Sequence, residues 1–231
     1  MEPKPEDAKW PRLLSLSVHE FRTPMTVVAG YIRMLLKDRA GALNPDQRRL
    51  LEEAERSCGR LSALLGEMSD LSNLEAGTAT FNRSTTDLTA LVAETVAALP
   101  AVPDRDITVS FARGNGEGAK IAGDPVRLRA AFTAILSALR RELVTSDQLF
   151  VSQRPGDFNG QPASWIAVGD ADHIDVLSSA GEEGLATFDE WRGGCGLGLA
   201  VARRVLNAHG GGIWSPPDGT KAGAVVVLPT V

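Results

Sequence analysis

His19, Glu20 and Thr23 bring an imidazole, a carboxyl group and a hydroxyl together within little more than one helical turn, and Pro24 follows directly. Near neutral pH most imidazole is unprotonated, so His19 can act as a nucleophile toward a phosphoryl group. Adjacent helical residues do not share a face, so Glu20 must reach round with its longer side chain, whereas Thr23 lies one turn on from His19. A second group could hold a phosphate. Gly194, Gly196 and Gly198 alternate at the start of a helical segment, where backbone N–H groups and the positive end of the helix dipole meet an anion. The Gly-x-Gly-x-x-Gly spacing of a dinucleotide site fails from each of these glycines, and the same residues would also permit close helix–sheet packing.

The element that must position His19 is an amphipathic helix. Leu14, Val18, Phe21, Met25, Val28, Ile32 and Leu35 follow one another in steps of four and three, the seam of a helix packed lengthwise against others. His19 stands one position after a seam residue, at the edge of the bundle. Pro24 removes the donor that would bond the Glu20 carbonyl, so the helix should bend beside His19. The spacing predicts this helix from about Pro5 or Asp7 to about Asp38, with a left-handed stop near Gly41. A second helix opens at Asn44-Pro45-Asp46-Gln47, where Asn44 can cap, Pro45 suits the first turn and Gln47 can reach back. Its apolar positions Leu50, Ala54, Leu61, Leu64, Met68 and Leu71 carry it to Ala76-Gly77. Two helices cannot enclose their own apolar stripe. Either a two-fold dimer closes a four-helix bundle, or the stripe packs on the rest of the chain.

Beyond Gly77 the pattern becomes mixed. Asp87 to Leu99 reads as a short helix stopped by Pro100 and Pro103, and Ile107, Val109 and Phe111 alternate as a strand. A turn at Gly114–Gly118 leads to a strand at Lys120–Ala122, and Asp124-Pro125 caps a helix running to about Leu143. Strands are expected at Gln148–Gln153 and Ser164–Val168, with a loop rich in Gly, Pro and Asp between them. A helix from the 194–198 glycines to about His209 and two antiparallel strands, Gly212–Trp214 and Ala224–Leu228, complete the chain.

Composition narrows the class. With a net charge of −5 the chain does not suit nonspecific nucleic-acid binding, which needs clustered Lys and Arg. Its two cysteines, Cys58 and Cys195, lack His or Cys at metal-ligand spacing and read as reduced thiols in a cytoplasmic protein. No apolar run approaches the roughly 18–20 residues of a membrane helix. The acidic, Pro-broken start, Met1 to Asp7, is unlike a signal peptide.

The run His19-Glu20-x-x-Thr23-Pro24 on a seam-bearing helix resembles the H-box of two-component sensor histidine kinases. The later alternation of helices and strands resembles their ATP-binding domain, the GHKL (Bergerat) sandwich. The resemblance covers nearly the whole chain and implies a fold of α plus α/β type. A dimerisation and phosphotransfer hairpin at 1–78 would form a dimeric four-helix bundle, followed by a GHKL-type domain at 79–231. It makes His19 the phosphoacceptor, Glu20 the acidic neighbour that orients or deprotonates it, and Thr23 a side chain that helps place a hydrolytic water. Many relatives carry an input domain or membrane spans before the H-box, so the chain is expected to be either a free-standing cytoplasmic member or a piece of a longer sensor.

The resemblance also implies ATP and Mg, and here the boxes are uneven. Ala134 and Ala138 stand at the two Asn positions of the N-box, and alanine has no oxygen for magnesium. The G1 box reads Asp170-Ala171-Asp172-His173-Ile174, retaining Asp170 where the family reads adenine but losing both glycines. Asp170 also suits a plain strand end. Gly194, Gly196 and Gly198 preserve the G2 box, and the stretch from Phe188-Asp189-Glu190-Trp191 to Gly194 is too short for a long lid. No protein ligands to a metal are assigned. The expected function is phosphoryl exchange between His19 and the Asp of a response-regulator receiver domain, or dephosphorylation of that receiver, with weak or absent ATP use. The alternatives are an ATP-dependent autokinase and a non-catalytic dimeric scaffold that binds a receiver or a kinase.

Overall fold

The computed structural model describes residues 9–102, 105–112, 118–144, 146–192, 196–217 and 223–231. The chain divides into two compact units, residues 1–79 and 80–231.

The first unit is a helical hairpin of α1 (Lys9–Leu36) and α2 (Pro45–Glu75). Leu14, Val18, Ala29 and Ile32 of α1, with Cys58, Leu65 and Leu71 of α2, are buried. The Ser72 hydroxyl donates to the Pro11 carbonyl at 2.7 Å across the pair. Phe21 and Val28 belong to the seam by spacing yet are 58% and 48% exposed. A single neighbouring helix covers only part of a broad apolar arc, so half of this arc stays open. Pro24 lies inside α1 without ending it. The helix stops earlier than Gly41: Asp38 already has φ +55°, a conformation that Asp tolerates better than most residues. Arg48 holds that turn, donating to both Asp38 carboxylate oxygens at 2.9 Å and to the Leu36 carbonyl at 3.0 Å. The capping box of α2 forms as its residues require, with Asn44 Oδ1 accepting the Gln47 N–H and Gln47 Oε1 accepting the Asn44 N–H.

The second unit runs β1 (Ser84–Asp87), α3 (Leu88–Ala97), β2 (Thr108–Ala112), β3 (Lys120–Gly123), α4 (Pro125–Glu142), β4 (Gln148–Phe158), β5 (Gln161–Gly169), α5 (Ile174–Ser179), β6 (Ala186–Thr187), α6 (Gly198–Ala208), β7 (Gly212–Ser215) and β8 (Ala224–Pro229). Six strands form a mixed sheet in the order β2-β4-β5-β8-β7-β6, with β2 and β4 parallel and the other pairs antiparallel. β1 and β3 form a separate antiparallel pair. On one face Ala163, Trp165, Ala167, Val225 and Val227 pack with Leu177 of α5, joined by Phe158 and Trp214. The alternate residues Ile166, Val168 and Val226 are buried on the opposite face, closed by the apolar faces of α3, α4 and α6.

The central hairpin is longer than periodicity suggests. Pro155, Gly156 and Asp157 belong to β4, and the connection is only Asn159-Gly160, with φ +52° and +75°. Both central residues in the left-handed region make this the tight turn that Asn-Gly favours. Pro155 is tolerated because, among the described residues, β2 ends opposite Ser152 and no other strand pairs that edge of β4. Gly156 is required there, since a Cβ would fall 2.9 Å from the Trp165 ring. β1, α5, β6 and a short 3₁₀ turn at Glu182–Gly184 are additions to the pattern expected from sequence, each too short to show a period. The turn expected at 114–118 lies outside the described residues except for Gly118.

Candidate functional site

α1 presents His19 outward, its side chain 80% exposed. Val18, one position earlier, is buried against α2 and sets that direction. Glu20 Oε1 lies 3.4 Å from His19 Nδ1, a loose contact between exposed groups, so Glu20 does reach round its own helix. Thr23 is exposed one turn on, and Pro24 leaves the Glu20 carbonyl without its usual donor four residues later. In this arrangement one ring nitrogen, Nε2, faces away from Glu20 and is open to an electrophile.

The residues assigned by sequence to a nucleotide lie in the second unit. Asp170 follows the end of β5, and its carboxylate is engaged. Oδ1 lies 2.5 Å from His173 Nδ1 and accepts the His173 backbone N–H at 3.1 Å. The Asp170 carbonyl accepts the Ile174 N–H at 3.0 Å, so the residue ties the strand end into the turn before α5. Spacing could have disclosed this: His173 is three residues after an Asp that ends a strand, the geometry of a turn closed by its own side chain. Gly196 has φ +66°, a conformation that glycine adopts without a Cβ clash, and Gly198 is the first residue of α6. Gly194 lies outside the described residues.

Two ion-pair systems flank this region and were not legible from spacing. Arg192 Nε lies 3.5 Å from Glu142 Oε1 at the end of α4, while Arg192 NH2 donates to the Gly223 carbonyl at 2.6 Å and the guanidinium lies over the Phe188 ring. Burial works to lower the Arg192 pKa, against Glu142 and Asp189. Glu190, only 7% exposed, accepts from Arg203 at 3.2 Å and also from Arg204.

These side chains do not fit a magnesium nucleotide. Ala134 and Ala138 of α4, at the positions where the resemblance implies an amide oxygen, carry none, Ala138 being fully buried in the core, and one oxygen of Asp170 is already bonded within the chain. Among the described residues no cluster of three or more His, Cys, Asp or Glu could hold a metal ion. Nor is any described helix long and apolar enough to cross a membrane.

Comparison with known proteins adds the family context. The His Kinase A (phospho-acceptor) domain matches residues 12–77. The phosphate regulon sensor protein PhoR of Pseudomonas aeruginosa is 30% identical over 197 residues, which cover 83% of this chain and 43% of that protein. The signal transduction histidine-protein kinase BarA of Escherichia coli is 26% identical over 203 residues, covering 84% of this chain and 22% of BarA. The chain thus spans less than half the length of these relatives. Among solved structures, full-length ShkA in complex with AMPPNP superposes with a TM-score of 0.69 at 21% identity, covering 96% of this chain and 46% of that one. The histidine kinase AdeS of Acinetobacter baumannii gives 0.54 at 18% identity, covering 92% and 96%. At such identities the two structures speak for the fold.

Proposed function

Because the chain carries a histidine-kinase core, a phosphoacceptor-type hairpin followed by a catalytic-type α/β domain, we propose that it serves two-component signalling by exchanging a phosphoryl group between His19 and a receiver Asp, with weak or absent use of ATP. The observation that carries this reading is the contrast between two groups. The His19 imidazole stands 80% exposed with Glu20 beside it, whereas the Asp170 carboxylate is bonded to His173.

In the exchange, the unprotonated nitrogen of His19 attacks the phosphorus of the receiver's aspartyl phosphate. The N–P bond forms as the P–O bond to the Asp carboxylate breaks, and the carboxylate leaves with the electron pair. The reverse step returns the phosphoryl group. Glu20 favours the tautomer with its proton on Nδ1, which leaves Nε2 as the nucleophile. If water replaces His19 as the attacking group, Thr23 is placed one turn away to orient it.

The hairpin is the unit that works on the receiver, and it does so as a homodimer. Leu13, Leu16, Phe21, Val28, Tyr31 and Met34 of α1 are 46–61% exposed, an open apolar stripe that a second hairpin would cover.

Purified protein mixed with phosphorylated receivers from the same genome tests the reading. Phosphate should appear on the wild-type chain, or leave the receiver faster, and His19→Ala should abolish the label. No labelling and no acceleration with any receiver would refute it. A second reading, an autokinase, draws on the retained Gly196 and Gly198 at the start of α6. Label from ATP lost in His19→Ala would favour it.

A further inference from the structure

Where the chain leaves the hairpin it is held from both sides. The Thr78 and Ala79 N–H groups donate to the Asn73 carbonyl at 3.0 and 3.1 Å, so α2 secures the chain through Ala79. The second unit takes it up two residues later. The Asn82 N–H donates to Asp124 Oδ2 at 2.9 Å, and the Arg83 guanidinium donates to the Ala208 carbonyl at 2.5 Å. Phe81 meets the His209 ring edge-on with centroids 5.2 Å apart. The Arg83 and Arg127 guanidinium groups lie 5.8 and 5.2 Å from the centre of the same Phe81 ring. Among the described residues, exposed Thr80 alone stands between the two sets of contacts. His209, buried at the end of α6, is central to the second set: Nε2 accepts the Asp124 N–H at 3.0 Å and Nδ1–H donates to the Val205 carbonyl at 2.7 Å.

We propose that His209 is a proton-operated catch on this joint. Neutral, it holds Phe81, Asn82 and Arg83 against the start of α4 and the end of α6 and leaves Thr80 as the joint. Protonated, it releases that segment, and the joint becomes residues 80–83. A proton on Nε2 turns an acceptor into a donor, which then faces the Asp124 N–H and deprives it of its partner. Burial disfavours the charged ring, and so do the Arg83 and Arg127 cations beside it. The Asp124 carboxylate attracts the new charge, but Oδ1 already accepts from Val126 and Arg127, and Oδ2 is the acceptor that holds Asn82. An imidazolium that turns to Oδ2 therefore displaces Asn82. Asp124 itself stays ionised between pH 5.5 and 7.5, because against the effect of burial its N–H donors hold its pKa below the usual 3.8. The segment gives way before the sheet does: Phe81 is half-buried, Asn82 and Arg83 are exposed, and few contacts hold them. Release lengthens the reach of the free chain from about 3.5 Å to about 14 Å.

The test reads hydrogen exchange at the Asn82 amide of the full chain by NMR, with rates corrected for the intrinsic effect of pH. For a ring that titrates near 6.5 once released, protection at pH 5.5 can fall at most about tenfold below its value at pH 7.5. A fall of at least about threefold is expected on the same basis. This exchange should be insensitive to urea up to about 1 M, which marks a local opening, whereas the buried β5 amides of Ile166 and Val168 exchange by unfolding and respond steeply. Phe81→Ala should leave Asn82 weakly protected at both pH values. His209→Gln, whose side-chain oxygen can still accept the Asp124 N–H, should keep it protected at both. Should His209→Gln fold poorly, the urea series on the wild type and Phe81→Ala decide. The proposal is overturned by Asn82 protection that does not change with pH, or by a change that tracks the β5 amides in urea. Protection unaffected by Phe81→Ala, or a pH dependence that survives in His209→Gln, overturns it equally.

Discussion

His173 Nδ1 lies 2.5 Å from Asp170 Oδ1, and the same oxygen accepts the His173 backbone N–H at 3.1 Å. The carboxylate that the resemblance assigns to adenine thus closes a local turn. Wild-type protein titrated with ATP by calorimetry is expected to bind no tighter than about 1 mM, near −4 kcal/mol. Leaving out magnesium should change that affinity by less than about threefold, since Ala134 and Ala138 offer it no oxygen. His173→Ala should tighten nucleotide binding. Micromolar, magnesium-dependent binding by the wild type would contradict this account.

A different histidine sets the acid sensitivity of the second unit. His209 is buried; its Nδ1–H donates to the Val205 carbonyl at 2.7 Å, and Nε2 accepts the Asp124 N–H at 3.0 Å. Burial pushes its pKa below the usual 6.5, with Arg83 and Arg127 acting the same way and the Val205 bond and Asp124 opposing. The unfolded chain therefore takes up this proton first. The stability from neutral His209 is complete above about 6.5 and is lost as pH falls from there toward the lower folded value. Urea unfolding of the wild type should show that slope between pH 7.5 and 5.5. His209→Ala should lack it and cost about 1–3 kcal/mol at pH 7.5, because the Asp124 N–H is orphaned.

Asp124 caps α4 through Oδ1, which accepts from Val126 at 3.0 Å and Arg127 at 3.1 Å, while Oδ2 accepts from Asn82 at 2.9 Å. Burial alone would raise its pKa, but these N–H donors, helped by the Arg127 charge, together hold it below the usual 3.8. Its contribution is present above that value and disappears as pH falls through the folded pKa. Asp124→Ala should destabilise by about 2 kcal/mol or more in chemical denaturation, whereas Asp124→Asn should recover much of that, keeping an acceptor oxygen.

The two faces of α1 should respond differently to truncation. Leu14 is 7% exposed against α2, so Leu14→Ala should lower the thermal stability of the hairpin, at a cost of about 2–5 kcal/mol. Phe21 and Tyr31 are 58% and 61% exposed. Phe21→Ser with Tyr31→Ser should leave helicity intact by circular dichroism but shift sedimentation from dimer to monomer. An unchanged sedimentation coefficient would argue that something other than a second hairpin covers this stripe.

Much of the architecture could be read from residues acting on near neighbours. Asn44 and Gln47 cap α2, Asp87 caps α3 and Asp124 caps α4, because each cap is a bond to an N–H two or three residues away. The exposed position of His19 also followed from Val18 in the seam. Spacing failed where the deciding contact is distant or the element is short. It placed Phe21 and Val28 in a seam without saying which half of the arc α2 would cover. It treated Pro155, Gly156 and Asp157 as a loop, although the edge left unpaired among the described residues and the Trp165 ring make them strand.

Local chemistry therefore specified the helices, their caps and an outward imidazole with an acidic neighbour, since those depend on bonds within a few residues and on a 3.6-residue period. Tertiary packing alone decided that Arg192 meets Glu142 and that His209 holds Asp124. These partners are separated by 50 and 85 positions in the chain, and no period or local bond relates them. Only the folding of β-sheet and helices around a common core brings such groups within reach, and in the first unit the packing of α1 on α2 determines which apolar face of α1 remains for a partner.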